Sequence, residues 1–305
     1  MKASPLTISM LPFVEKAEAL GFIAVGFARP SRPLYFNHFK AWLADGKHAD
    51  MAWLENNLDL RENPSRMIEG CLVVVSLAYP YPAAAPTTID GFRVARYADP
   101  AKVDYHARIR TLCRELTAFI EENYPGSKSR VCVDSAPVME RSLAVAAGLG
   151  FIGRNNLLII PGYGSYFYLA EIFTTAALPF ISSEPIEQQC GLCSRCLDAC
   201  PTGALENPFL VNASKCLSYL TVEHKGPLDK DLSEKMGHCF FGCDRCQEAC
   251  PFNEDTGALN VVLPSTPVFL DMKDETFRKH YGNSAFARAG IEKLKGNILA
   301  VRKGR

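Results

Sequence analysis

Apolar positions between residues 8 and 20 recur at helical spacing and are broken by Glu15, Lys16 and Glu18. This pattern predicts an amphipathic helix with Ser9 as a possible cap, Pro12 in its first turn and Gly21 as its stop. Residues 22–27 then read as a strand. Residues 72–78 (LVVVSLA) form an unbroken, largely β-branched run, as expected of a strand buried on both faces. A long helical pattern covers 103–124 and stops near Pro125 and Gly126. Residues 129–133 read as a short strand ending at Asp134, and 138–147 as a helix closed by Gly148 and Gly150. Two further strands, 157–160 and 166–174, flank a turn at 161–164. Strands alternating with helices predict an α/β (α+β) unit over residues 1–178.

A stretch bearing proline and serine, residues 178–185, marks the expected boundary. Residues 179–262 hold most of the cysteines and are expected to fold around metal clusters rather than a large apolar core. Residues 263–305 read as a helical tail. The chain of 305 residues carries 33 Lys/Arg and 33 Asp/Glu. The balance hides an asymmetry: residues 271–305 hold nine Lys/Arg against four acids, an excess of five basic charges. Such a tail suits a nucleic-acid partner, although a solvated helix face is the plainer reading. No run of 18 apolar residues occurs, so no membrane span is expected. The start does not read as a secretory peptide, and a cytoplasmic location with reduced thiols is expected.

The cysteines carry the sharpest signal. Seven of the twelve fall into two runs ending in Cys-Pro. Cys190, Cys193, Cys196 and Cys200, followed by Pro201, match the bacterial ferredoxin run C-x2-C-x2-C-x3-C-P. Cys243, Cys246 and Cys250, followed by Pro251, repeat it without the first cysteine, where Phe240 stands. The missing ligand must come from Cys216 or Cys239. Two [4Fe-4S] clusters are the reading. Zinc sites are the alternative, but zinc knuckles do not need the x3-Cys-Pro ending twice.

Clusters move single electrons, and a plain carrier does not need an α/β unit in front of it. Asp134 follows an apolar strand, where such folds place ligand crevices, and a carboxylate there can hand over a proton. Its structural alternative is a helix cap. Glu140 and Arg141 read as a structural ion pair. The loop 148–156 lacks the glycine spacing of a nucleotide site.

Taken together, these pieces resemble the epoxyqueuosine reductase family, cobalamin-dependent iron–sulfur enzymes that finish queuosine in tRNA. The matching segments are 95–98 (ARYA), 104–106 (DYH), 134–141 (DSAPVMER), 148–158 (GLGFIGRNNLL), 190–204 (CGLCSRCLDACPTGA), 216–226 (CLSYLTVEHKG) and 241–253 (FGCDRCQEACPFN). The resemblance runs over about residues 10–290. It implies a two-electron, two-proton reduction of epoxyqueuosine at the tRNA wobble position, fed by an external low-potential electron donor. It also implies Asp134 as proton donor. Cys190, Cys193, Cys196 and Cys250 would hold one cluster, and Cys200, Cys216, Cys243 and Cys246 the other, which leaves Cys239, Cys71, Cys113 and Cys132 as free thiols. For cobalamin, position in the matched motifs points to Asn57, Tyr97, Asp134, Asn156, Tyr166, His224, Lys225 and Gln247. The chain lacks the D-x-H-x-x-G motif that supplies a histidine to cobalt, so no histidine below the metal is expected.

Many members carry a helical-repeat extension that helps grip tRNA. This sequence ends at Arg305, so a short form is expected, with 271–305 as a reduced substitute and a monomer as the working unit. Two other readings stand beside this one. A corrinoid iron–sulfur reductase of a small molecule, as in reductive dehalogenases, would be told apart by independence from tRNA. An electron carrier with no substrate would bind no corrinoid.

Overall fold

The computed structural model describes residues 10–81, 84–100, 102–181, 183–253 and 261–304. The expected Ser9 cap lies outside them. The chain begins with α1 (Leu11–Ala19), β1 (Ala24–Ala28), α2 (Phe36–Ala44), α3 (Leu58–Glu62) and β2 (Val73–Pro80). There follow β3 (Thr87–Thr88), β4 (Arg93–Val94), α4 (Tyr105–Asn123), β5 (Ser129–Cys132), α5 (Glu140–Ala146), β6 (Phe151–Ile152), β7 (Leu158–Ile159) and β8 (Phe167–Thr174). The cysteine-rich segment gives α6 (Arg195–Asp198), β9 (Leu205–Asn207), β10 (Leu210–Val211), α7 (Leu217–Val222), α8 (Lys230–Met236), β11 (Cys239–Phe241) and α9 (Arg245–Glu248). Last come β12 (Val262–Leu263), α10 (Thr266–Asp271), α11 (Asp274–Tyr281) and α12 (Gly290–Lys303).

The main sheet has the order β1-β2-β8-β5, and every neighbouring pair is antiparallel. The protein is therefore a mixed α/β fold whose main sheet is of the α+β kind, with no parallel crossover. The apolar run in β2 reports burial rather than direction. Val73, Val74, Val75, Leu77 and Ala78 are fully buried. α1 and α4 cover one face through Phe13, Ala17, Ile109, Leu116 and Ile120. α5 covers the other, where Leu143 meets Val74 and Phe173. Gly26 permits this second layer, because a Cβ there would stand 2.3 Å from Ala147 O.

The turn at 161–164 sits where the sequence puts it, but the strands it separates do not pair. β7 pairs with β6, while β8 lies between β2 and β5.

A second sheet, β11-β4-β3-β12, draws on distant stretches of the chain. β4 lies parallel to β11, and β3 parallel to β12. The core beneath it combines Phe92 and Val94 with Phe240, Phe241, Phe269, Phe286, Leu294, Ile298 and Val301. The segments read separately at 1–178, 179–262 and 263–305 thus share packing. The basic tail has one face in this core, where Asn297 Nδ2 donates to Thr221 O at 2.7 Å. Among the described residues, no helix is long and apolar enough to cross a membrane.

Candidate active site

A cavity of about 2220 Å³ opens between the main sheet and the cysteine-rich segment. Asn57, Tyr97, Asp134, Asn156 and Gln247 line it. Five non-glycine residues among those described have φ in the left-handed region: Ala49, Asn57, Asp134, Asn156 and Phe209. All but Ala49 line this cavity. L-residues adopt that conformation at a cost, and such positions gather where a site needs them.

Asp134 lies two residues past the end of β5 at φ +54°, and its side chain, 47% exposed, opens into the cavity. Tyr105 Oη donates to Asp134 Oδ2. His106 Nε2 lies 3.2 Å from the same oxygen. His106 is held in turn by Asp104, whose Oδ1 is 2.7 Å from Nδ1. The Asp104 carboxylate also accepts the His106 amide and so starts α4. The Tyr105 ring stacks between His106 and Tyr168, with centroids at 4.1 and 4.3 Å. Arg288 Nη1 approaches Asp134 to 4.0 Å. Burial pulls the Asp134 carboxyl up, but hydrogen bonds from His106 and Tyr105 outweigh it and leave it below the usual carboxylate range. Burial lowers His106, and its two aspartate partners overcome this and raise it. Both shifts favour the proton on the imidazole over the carboxylate. Asp134 is not a helix cap: its carboxylate takes Tyr105 and His106, and the residue before α5 is Met139.

The cysteines separate into two groups of four. Cys190, Cys193, Cys196 and Cys250 ring a small cavity of about 150 Å³. Cys200, Cys216, Cys243 and Cys246 line the large one. The two groups meet where α6 packs on α9. Among the described residues, no three Cys, His, Asp or Glu side chains converge closely enough for a single metal ion. Four soft thiols around an open space suit a wider iron–sulfur cube. Cys239 lines neither cavity. Its thiol donates to Phe241 O and Gly242 O, and burial pushes it up to about 12.

Comparison with known proteins decides the family. An epoxyqueuosine reductase from Cyclobacterium marinum is 38% identical over 270 residues, covering 86% of each chain. This chain belongs to the epoxyqueuosine reductase family. Residues 61–135 match the family model described as epoxyqueuosine reductase QueG, DUF1730. Residues 189–253 match that of a 4Fe-4S double cluster binding domain. A solved epoxyqueuosine reductase with an epoxyqueuosine-modified tRNA stem loop superposes with a TM-score of 0.84 at 28% identity, covering 95% of this chain and 80% of that one. The Bacillus subtilis epoxyqueuosine reductase, solved with an aspartate catalytic loop swung out of the active site, gives 0.83 at 28% identity over the same shares. Like its relatives, this epoxyqueuosine reductase family member is an oxidoreductase, and its cysteine-rich segment is an iron–sulfur domain.

Three residues expected near the cofactor stand outside the cavity lining. Tyr166 lies under the Arg96 guanidinium, 4.8 Å from its ring centroid. His224 turns to Asp50, with Nδ1 3.3 Å from Oδ2. Lys225 is exposed on the surface. Gln247 lines the cavity but also bonds Ser165 and Tyr81, and Asn253 completes that network. Gly164 makes it possible, since a Cβ there would meet Asn253 Oδ1 at 2.1 Å. Glu140 and Arg141 form no ion pair with each other among the described residues. Glu140 Oε1 accepts the Asp134 amide at 2.5 Å, and Arg141 donates to Asn156 O. Sequence reasoning assigned no role to Arg288, which no motif marks, or to Glu171, an acid inside an apolar strand.

Proposed function

We propose that this chain reduces epoxyqueuosine to queuosine at the wobble position of tRNA. It would hold cobalamin in the large cavity and two [4Fe-4S] clusters on the two groups of cysteines. One observation carries the reading: a single cavity joins Asp134 and its His106 partner to the thiols of Cys200, Cys216, Cys243 and Cys246. The cavity exceeds the roughly 300–1,000 Å³ of ordinary small-molecule sites, which leaves room for a corrinoid. Asn57, Tyr97, Asp134, Asn156 and Gln247, which line the cavity, would contact it, while Tyr166, His224 and Lys225 would act from outside the lining. When bound, cobalamin supplies a low-valent metal able to deliver an electron pair to an epoxide carbon, fed one electron at a time by the clusters.

The chain's own residues handle the protons. The epoxide takes up two electrons and two protons, loses its oxygen as water and becomes a carbon–carbon double bond. Asp134 gives a proton to the epoxide oxygen as the C–O bond breaks. Hydrogen bonds from His106 and Tyr105 hold Asp134 below the usual carboxylate range, so the proton it delivers would first come from His106, 3.2 Å away, and solvent would recharge His106 for the second. Tyr105 fixes the carboxylate that moves between them. The loop bearing Asp134 is proposed to swing, as in the Bacillus subtilis relative. The tRNA backbone would lie along the basic helices of 271–305, whose excess cations suit phosphates. Electrons would come from a low-potential donor in the cytoplasm, and the working unit would be a monomer.

The test is a single-turnover assay without oxygen, using protein loaded with iron, sulfide and cobalamin, a low-potential reductant and epoxyqueuosine-bearing tRNA. Nucleosides are read by mass spectrometry. Loss of one oxygen that depends on cobalamin is the expected result. No conversion by fully loaded protein would reject the reading.

A further inference from the structure

Beneath Asp134 lies a second pair of carboxyls for which the reduction itself has no use. Glu171 stands in β8, 0% exposed, opposite Ser76 of β2 and Cys132 of β5. Neither of its carboxyl oxygens meets a hydrogen-bond donor among the described residues. Ser76 Oγ, its neighbour across the sheet, is likewise unpartnered. The group facing Glu171 is the Glu140 carboxyl at the start of α5. Two carboxyls can bond each other only through a proton held between them, and a second buried charge would be very costly. Burial first, and then mutual repulsion, raise the proton affinity of Glu171, and burial with the charge of Asp134 does the same for Glu140.

The surroundings do not supply a countercharge by contact. Arg61 and Arg141 act on Glu140 from a distance, with no ion pair to it among the described residues. His106 lies on its far side, beyond Asp134. Cys132 and Cys113 are the titratable groups beside Glu171, and burial pushes both thiols up to about 12. Glu140 meanwhile has a second task, since its Oε1 accepts the Asp134 amide. That bond closes the turn in which Asp134 takes φ +54°.

We propose that Glu140 and Glu171 share one proton and act as a positioning pair, which holds the Asp134 loop in its inward, left-handed conformation. The shared proton fixes Glu140, and Glu140 fixes the Asp134 amide. The inference rests on Asp134 being the proton donor of the proposed reduction.

Three measurements on the loaded holoenzyme test it. Infrared spectra at neutral pH should show the carbonyl band of a protonated carboxyl that disappears in both Glu171→Gln and Glu140→Gln. Hydrogen exchange at the Asp134 amide should quicken at least roughly tenfold in Glu140→Ala and stay slow in Glu140→Gln, which keeps the acceptor oxygen. Single turnover should slow by up to roughly 100-fold in Glu140→Ala through misplacement of Asp134, with recovery in Glu140→Gln and corrinoid still bound. Absence of the infrared band from the parent protein, or an Asp134 amide equally protected in Glu140→Ala, overturns the proposal. If the parent protein fails to convert tRNA, the functional reading falls, while the infrared and exchange results still decide the pair.

Discussion

The two groups of thiols obey one sequence rule and meet different surroundings. Cys190, Cys193, Cys196 and Cys250 ring a cavity of about 150 Å³. Beside them Leu192, within the same loop, is 98% exposed. Cys200, Cys216, Cys243 and Cys246 open instead into about 2220 Å³ of space shared with Asp134. Spacing selects the ligands, but the neighbouring elements give each group its place in the electron path. On the proposed reading a donor would dock beside the first group, at the exposed Leu192 loop, and the second would face the reacting carbon. If each group holds one cluster, the crossing of Cys200 and Cys250 between groups would keep the two clusters close enough for transfer.

The strongest way to break that comparison is to remove one thiol from each group. Cys246→Ser should lose half the iron and all turnover, because no electron then reaches the large cavity. Cys193→Ser should lose a similar share of iron and yet retain turnover when a small titanium(III) reductant replaces a protein donor. Iron analysis with single-turnover mass spectrometry reads both. Equal loss of turnover in the two variants would remove the distinction between outer and inner groups.

A smaller effect is expected on the proton side of the same cavity. Asp134→Asn should keep both clusters and bound corrinoid while slowing turnover by roughly 10²–10⁴-fold, the usual range for a general acid. Its partner has a signature in stability. His106 binds its proton more tightly in the folded protein, between Asp104 and Asp134 and with Arg288 and Glu140 nearby. The resulting stabilisation is full below about pH 6.5, the unperturbed imidazole value, and is lost as pH rises through the raised folded value. With Asp134 at 47% exposure the pair is worth ~0.2–1 kcal/mol after solvent screening. Thermal unfolding of the parent and His106→Ala across that range should converge at alkaline pH. A constant gap would show that His106 contributes packing alone.

Much of this molecule was legible in its sequence, and the parts that were not share a cause. Helix 103–124 appears as Tyr105–Asn123, because apolar spacing and a cap are local signals. The cysteine spacing likewise announces the clusters within one short loop. Strand direction was not legible, since burial on both faces erases the alternation that marks an antiparallel strand. Nor were β3 and β4, two residues each, which exist only because β11 and β12 arrive from far along the chain. At the site, Asp134 was marked by its place after an apolar strand. Glu171 had a signal that went unused: one acid in an otherwise apolar strand, where a charge without a partner is hardly tolerated.

The smallest expected effect belongs to the cysteine that neither group uses. Cys239 lies in β11, and its thiol donates to two backbone carbonyls. Cys239→Ser keeps a donor at that position and removes only the larger sulfur. Iron content and turnover should match the parent, with a stability cost of about 1 kcal/mol, the scale of one altered buried hydrogen bond. Denaturant unfolding and iron analysis together read this. Loss of iron from the inner group would mean that Cys239 rather than Cys216 supplies the ligand missing at Phe240. The neighbouring variant Cys216→Ser would then be the silent one, and the boundary of the inner group would move from the lining of the large cavity into the second sheet.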